Sequence, residues 1–142
     1  MNQAKRAVRI VMVDDDQDDL FLTEVCLRQA SFPVEFTPLK SATKLFEHIK
    51  DNGIGGIDVL LLDLNMPVMN GVEALDKLRA YPHFAELNVF MFSTSSSEAD
   101  QRACLEAGAK GYLRKPSGLG QMRTFVEAIS KSLDPQKLSI AC

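Results

Sequence analysis

Three strand-length apolar runs, Val8-Arg9-Ile10-Val11-Met12-Val13, Val59-Leu60-Leu61-Leu62 and Val89-Phe90-Met91-Phe92, are followed directly by the polar residues Asp14, Asp63 and Ser93. Runs that are nearly continuous rather than alternating belong to strands covered on both faces, as in a parallel sheet with helices on each side. Val34 to Thr37 and Gly111 to Leu113 are two weaker strand candidates. Between the runs the apolar period becomes helical. Leu20, Leu22, Val25, Cys26 and Leu27 come first, then Leu45, Phe46 and Ile49 behind a capping Ser41, then Val72 to Leu78. Ser97 precedes Glu98 to Ala107 with Gly108 as a stop, and Phe125, Val126, Ile129 and Leu133 mark a last helix. Five strand-helix units predict a doubly wound α/β fold with a five-stranded parallel sheet, right-handed crossovers and strand order 2-1-3-4-5. With 142 residues, 46% of them hydrophobic, the chain is expected to be a single domain with its core over about residues 8–133 and a short tail over 134–142.

Charge is unevenly placed. The net charge is -3, yet Asp14, Asp15, Asp16, Asp18 and Asp19 sit within six positions; without those five, 14 acids face 16 bases. No basic run longer than the pairs Lys5-Arg6 and Arg114-Lys115 exists to engage a phosphate backbone, so direct nucleic-acid binding is disfavoured. The apolar runs are too short to span a bilayer and Met1 to Arg6 lacks the apolar centre of a signal peptide, so a cytoplasmic location and no membrane contact are expected. Cys26, Cys104 and Cys142 are far apart and without Cys-x-x-Cys spacing, which points to buried or incidental thiols rather than zinc or disulfides. Asn52-Gly53-Ile54-Gly55-Gly56 precedes a strand, whereas phosphate-binding glycine loops follow one, so it is expected to be a flexible connection.

Ligands of doubly wound sheets bind at the carboxyl ends of the strands, near the point where strand order reverses. Asp14 and Asp15 end the first strand there and Asp63 ends the third. Carboxylates gathered in one crevice repel, so their pKa values rise or a cation neutralises them. Hard oxygen ligands favour Mg²⁺, which keeps several waters and takes one or two carboxylates alongside a phosphate oxygen. Ser93 and Lys115, after the fourth and fifth strands, are expected to face the same crevice and to supply a hydroxyl and a positive charge to a phosphoryl group carried on Asp63.

Together, Val-Asp14-Asp15, Leu-Asp63-Leu-Asn65-Met66-Pro67-Val-Met-Asn70-Gly71, Phe-Ser93-Thr94 and Ala107-Gly108-Ala109-Lys110-Gly111-Tyr112-Leu113-Arg114-Lys115-Pro116 resemble the receiver domain of two-component response regulators. The resemblance runs from Val8 to Leu133, with every motif in order. The Asp-Leu-Asn-Met-Pro variant and the serine-rich segment after the fourth strand are most similar to small stand-alone regulators paired with phytochrome-like histidine kinases. This resemblance implies the flavodoxin-like fold with Asp63 as phosphoacceptor, attacking the phosphohistidine of a sensor histidine kinase. It further implies that Asp15 is a direct Mg²⁺ ligand, that Asp14 acts through water, and that Asn65 contributes its backbone carbonyl. Lys115 and Ser93 would hold the phosphoryl group, Tyr112 would pair with Ser93 as a switch, and Lys115-Pro116 would be a cis peptide aiming the lysine inward. Pro67 and Gly71 would shape the loop after the third strand: proline fixes φ, and glycine tolerates conformations other residues resist. Thr94 departs from the smaller residue many receivers carry there, and its bulk would restrict access to the site.

The family would make the chain a signalling protein rather than an enzyme acting on other substrates, although it takes part in its own Mg²⁺-dependent phosphorylation and dephosphorylation. With no effector domain after the last helix, output is expected through an unidentified partner protein, a homodimer, or onward phosphate transfer as a sink or relay. Two other classes share part of this pattern. A phosphatase of the haloacid-dehalogenase type also uses a nucleophilic Asp after a strand, but wants a second carboxylate two residues on, where Asn65 stands. A flavodoxin-like cofactor carrier would need glycine and hydroxyl residues where Asp14 and Asp15 would repel its phosphate. Asp16, Asp18 and Asp19 are assigned to the helix start, where carboxylates complement the helix dipole.

Overall fold

A computed structural model of the chain describes residues 7–95, 97–115, 123–124 and 127. Its elements alternate as expected: β1 (Val8–Val13), α1 (Gln17–Leu27), β2 (Val34–Leu39), α2 (Ala42–Asn52), β3 (Val59–Asp63), α3 (Gly71–Leu78), β4 (Asn88–Ser93), α4 (Glu98–Glu106) and β5 (Gly111–Arg114). All five strands are parallel, in the order β2-β1-β3-β4-β5.

The continuous apolar runs have a direct structural reason. Successive side chains of a strand point to opposite faces of the sheet. Val11 and Val13, Leu60 and Leu62, and Val89 and Met91 therefore pack in one core with Leu45 and Ile49 of α2, Ala74, Leu75 and Leu78 of α3, and Cys104 of α4. Val8, Ile10 and Met12, Val59 and Leu61, and Phe90 and Phe92 pack on the other side with Leu20, Cys26 and Leu27 of α1. Both faces are dry, so past Arg9 in β1 and Asn88 in β4, near the amino ends, these strands carry no polar residue until their carboxyl ends. Burying each leucine of β3 contributes about 2 kcal/mol relative to exposure.

β2 lies at the sheet edge and is only partly covered. It runs two residues further than the sequence suggests, through Pro38 to Leu39, because an edge strand tolerates a residue with no N–H to donate. Helix boundaries follow local chemistry. The Ser41 side chain accepts from Lys44 N at 3.2 Å, and that of Ser97 from Asp100 N at 3.3 Å. Asn70 and Glu73 close a reciprocal capping box on α3. Gly108 ends the α4 segment at φ 109°, a conformation that costs glycine little. The Asn52 to Gly56 connection is partly ordered as a short 3₁₀ turn at Ile54–Gly56. Arg123, Thr124 and Glu127 are helical; Phe125, Val126, Ile129 and Leu133, the tail 134–142 and Cys142 lie outside the described residues. Cys26 and Cys104 are buried free thiols. Burial pushes both up, Cys104 to about 11, so neither ionises readily near neutral pH. No helix among the described residues is long and apolar enough to cross a membrane.

Candidate functional site

Parallel pairing with β3 between β1 and β4 brings the carboxyl ends of these strands side by side. Val13 pairs with Leu62 and Asp63 with Phe92, so Asp14, Asp63 and Ser93 emerge together at the edge of the two cores. Asp14, Asp63 and Ser93 are all buried, whereas Asp15 is exposed. Asp14, Asp15 and Asp63 each offer an oxygen within 4.8 Å of the others. The acid cluster expected from the sequence therefore converges.

Lys115, just past β5, reaches into the cluster. Its Nζ lies 3.0 Å from Asp14 Oδ2, 3.4 Å from Asp63 Oδ2 and 2.9 Å from Asp19 Oδ2. It also sits 5.2 Å from the centre of the Phe92 ring, close enough for the ring face to attract the cation. Only 12% of the lysine side chain is exposed. Burial works against its charge, but the bond to Asp19, the close contact with Asp14 and the field of Asp63 outweigh burial and raise its pKa.

One ammonium does not satisfy these acids. Burial, reinforced by the nearby Asp63 charge, pushes the Asp14 carboxyl up to about 7, even though Asp16 N–H and Lys115 pull it down. Asp63 is also raised, chiefly by burial, against Lys115 and the Asn65 N–H. Asp14 Oδ1 accepts from Asp16 N at 2.9 Å, but buried Oδ2 accepts no hydrogen bond of good geometry, its contact with Lys115 being an ion pair only. A buried carboxylate oxygen without a hydrogen bond, flanked by two further carboxylates, fits a hard divalent cation that takes oxygen ligands. Asp14, Asp15 and Asp63 are the side chains placed to hold one.

The other expected residues sit around this centre. Asn65 N donates to Asp63 Oδ1 at 3.2 Å, and its side-chain amide donates to Ser93 Oγ at 3.3 Å. Ser93 Oγ also accepts from Ser95 N at 3.1 Å. Both contacts use the hydroxyl as acceptor, which leaves its O–H available to donate. Tyr112 is half-buried in β5, and its hydroxyl donates to the Ser95 carbonyl at 3.0 Å. Thr94 is exposed in the loop after β4. Pro116, and with it the Lys115-Pro116 peptide, lies outside the described residues.

The loop from β3 to α3 shows a different reason for Gly71 than conformational freedom. A Cβ there would stand 2.5 Å from the Asp63 carbonyl oxygen and 2.9 Å from Leu64 Cα. Gly71 N instead donates to Leu64 O at 2.8 Å, drawing the loop back onto the end of β3. The left-handed conformation falls on Val68, at φ 70°, where Met69 N closes a three-residue turn onto Pro67 O at 2.8 Å. That turn is strained for a β-branched residue.

Two residues that the sequence reading left out belong here. Asp19 holds Lys115, and Ser95 supplies the carbonyl for Tyr112 while its own hydroxyl donates to Asp100 Oδ2 of α4 at 2.8 Å. Asp19 lies in the first turn of α1, directly after the strand-end acids Asp14 and Asp15, and that nearness in sequence is the signal that could have placed it beside the cluster.

Comparison with known proteins decides the family. The response regulator receiver domain matches residues 10–129. The chain belongs to the response regulator receiver family. Over 129 residues it is 36% identical to the transcriptional regulatory protein PrrA of Mycobacterium tuberculosis, covering 91% of this chain and 52% of PrrA. The chain thus spans about half the length of that relative. It is 28% identical to the two-component response regulator ARR5 of Arabidopsis thaliana, covering 89% of this chain and 73% of that protein. Among solved structures, the Mn²⁺-bound form of response regulator Rcp1 superposes with a TM-score of 0.75 at 25% identity, covering 90% of this chain and 96% of that one. The phosphorylated cyanobacterial phytochrome response regulator RcpA superposes at 0.79, covering 96% and 98%; at 24% identity it shares the fold.

Proposed function

We propose that this receiver domain is a phosphorylation-dependent signalling switch that accepts a phosphoryl group on Asp63 from the phosphohistidine of a sensor histidine kinase. The observation that carries the reading is the buried Asp63 carboxylate at the end of β3, flanked by Lys115 at 3.4 Å and by Asp14 and Asp15. An Asp63 oxygen attacks the phosphorus in line; the new P–O bond forms as the P–N bond breaks, and the electron pair of that bond leaves with the imidazole. Such transfer asks the protein mainly for positioning and charge stabilisation. Lys115 donates N–H to a phosphoryl oxygen, and the free O–H of Ser93 donates to another. Asp14, Asp15, Asp63 and the backbone carbonyl of Asn65 would hold Mg²⁺, which when bound supplies the positive charge that keeps the carboxyls ionised and balances the phosphoryl oxygens.

The same hydrogen bonds give the signal a route outward. Drawing the Ser93 hydroxyl toward a phosphoryl oxygen disturbs its bond to Ser95 N, and Ser95 also holds Tyr112 and Asp100. A change at Asp63 therefore reaches β5 and the first turn of α4, the surface through which a partner protein or a second copy of the chain would read the state. Exposed Thr94 narrows the approach of water to the acyl phosphate.

Incubation with a small-molecule phosphodonor and Mg²⁺, followed by intact mass, tests this. The expected result is a metal-dependent gain of one phosphoryl group by the wild type and none by Asp63→Asn. An adduct retained in Asp63→Asn, or none in the wild type with either the phosphodonor or beryllofluoride, overturns the reading.

A further inference from the structure

We propose that Asp19 is a positioning residue for Lys115: it takes the hydrogen bond of the ammonium on the α1 side, so that the two carboxylates a divalent cation needs meet the lysine as ion pairs only, and it keeps Nζ within reach of a phosphoryl group on Asp63. This deepens the reading above and rests on it. Lys115 Nζ has three carboxylate partners. Asp14 and Asp63 are also candidate metal ligands; Asp19 is not. The Asp19 contact is the shortest, at 2.9 Å, and it has hydrogen-bond geometry, whereas Asp14 Oδ2 is left without a hydrogen bond.

Asp19 lies in the first turn of α1, whose N-cap Asp16 accepts from the Asp18 and Asp19 N–H groups, so its carboxylate projects from a capped helix start. Without it the ammonium would settle between Asp14 and Asp63, occupying with its own charge the place of a divalent cation. Once a cation and a phosphoryl group engage those two acids, Asp19 is the partner left to anchor the lysine.

The test is calorimetric titration of the full chain with Mg²⁺, comparing Asp19→Asn with Asp18→Asn, a neighbouring exposed acid in the same helical turn. Asp19→Asn is expected to weaken Mg²⁺ binding about fivefold and Asp18→Asn less than about twofold. In a Lys115→Gln background the effect of Asp19→Asn is expected to shrink to less than about twofold, because the cation it restrains is gone. Equal losses from the two acids, a loss that persists without Lys115, or no Mg²⁺ binding by the wild type would overturn the proposal. If Lys115→Gln does not fold, the contrast between Asp18 and Asp19 decides. Phosphodonor labelling adds a second readout: Asp19→Asn should label slowly at limiting Mg²⁺, and its deficit against wild type should narrow as Mg²⁺ approaches saturation. A deficit that stays the same at every Mg²⁺ concentration overturns the restraint as described. A wild type that never labels counts against Asp63 as acceptor and leaves the Mg²⁺ contrast to judge Asp19.

Discussion

The sheet buries aspartates at both of its ends and treats them in opposite ways. At the amino-terminal edge, Asp58 accepts from Arg9 N at 2.8 Å, Arg9 Nε at 3.1 Å and an Arg9 guanidinium nitrogen at 3.2 Å. One carboxylate meets one planar fork, and both oxygens are used. At the carboxyl edge, Asp14, Asp63 and Asp19 share one lysine, and Asp14 is pushed up to about 7. A buried acid gripped by a cationic fork through both of its oxygens holds the fold together. A buried acid short of positive charge waits for something else to supply it, and that shortage marks the functional end.

Removing the acid from each end should separate the two most sharply. Asp58→Ala strands part of a buried pair and is expected to cost about 2 kcal/mol in urea unfolding, less than a fully buried pair because Arg9 is 37% exposed and can rehydrate. A cost below about 0.5 kcal/mol would place it with ordinary surface pairs. Asp14→Asn should do the reverse without metal. Its folded pKa, about 7, lies above the ordinary 3.8, so the folded state binds the extra proton and stability falls as pH rises between those values. The variant should therefore gain about 1 kcal/mol over wild type at pH about 8 and little at pH about 4. A variant less stable at both pH values would mean that Lys115 already neutralises Asp14.

A smaller effect concerns the metal. Binding must displace the Asp14 proton, so Mg²⁺ affinity should fall about tenfold per pH unit below about 7. A flat calorimetric profile from pH about 5.5 to 7 would break the contrast between the ends. The smallest test makes the structural end resemble the functional one. Arg9→Lys exchanges the fork for a point charge and should cost about 0.5–1 kcal/mol in the same urea assay; no change would show that charge alone, without the fork, satisfies Asp58.

The architecture was legible because its strongest strands are buried on both faces. Val59 to Leu62 leaves no polar position, so its end and Asp63 are unmistakable. β2 was underestimated because half-covered edge residues and Pro38 carry a weaker pattern. The convergence of Asp14, Asp15, Asp63 and Lys115 followed from placing each at a strand end. Asp19 did not, because an acid in the first turn of a helix already has a sufficient explanation in the dipole. Ser95 was hidden for another reason: its backbone carbonyl receives Tyr112, and any residue has a carbonyl. Gly71 stands out in the sequence as a residue of conformational freedom, but the crowding against Asp63 O becomes visible only once the loop is folded.

The register that pairs Val13 with Leu62 and Asp63 with Phe92 fixes the reactive groups from within the sheet, and the connections that shape their surroundings all leave the carboxyl edge. The connections at the opposite edge, residues 28–33, 53–58, 79–87 and 107–110, are thereby released from any duty to the chemistry, Asp58 keeping its structural bond to Arg9. Gly55 and Gly56 lie there, and a side chain added at Gly55 would meet nothing within 4 Å. One end of this molecule is bound to an unchanging geometry, and the other is open to insertion, lengthening and fusion, so new attachments can accumulate there without moving a carboxylate.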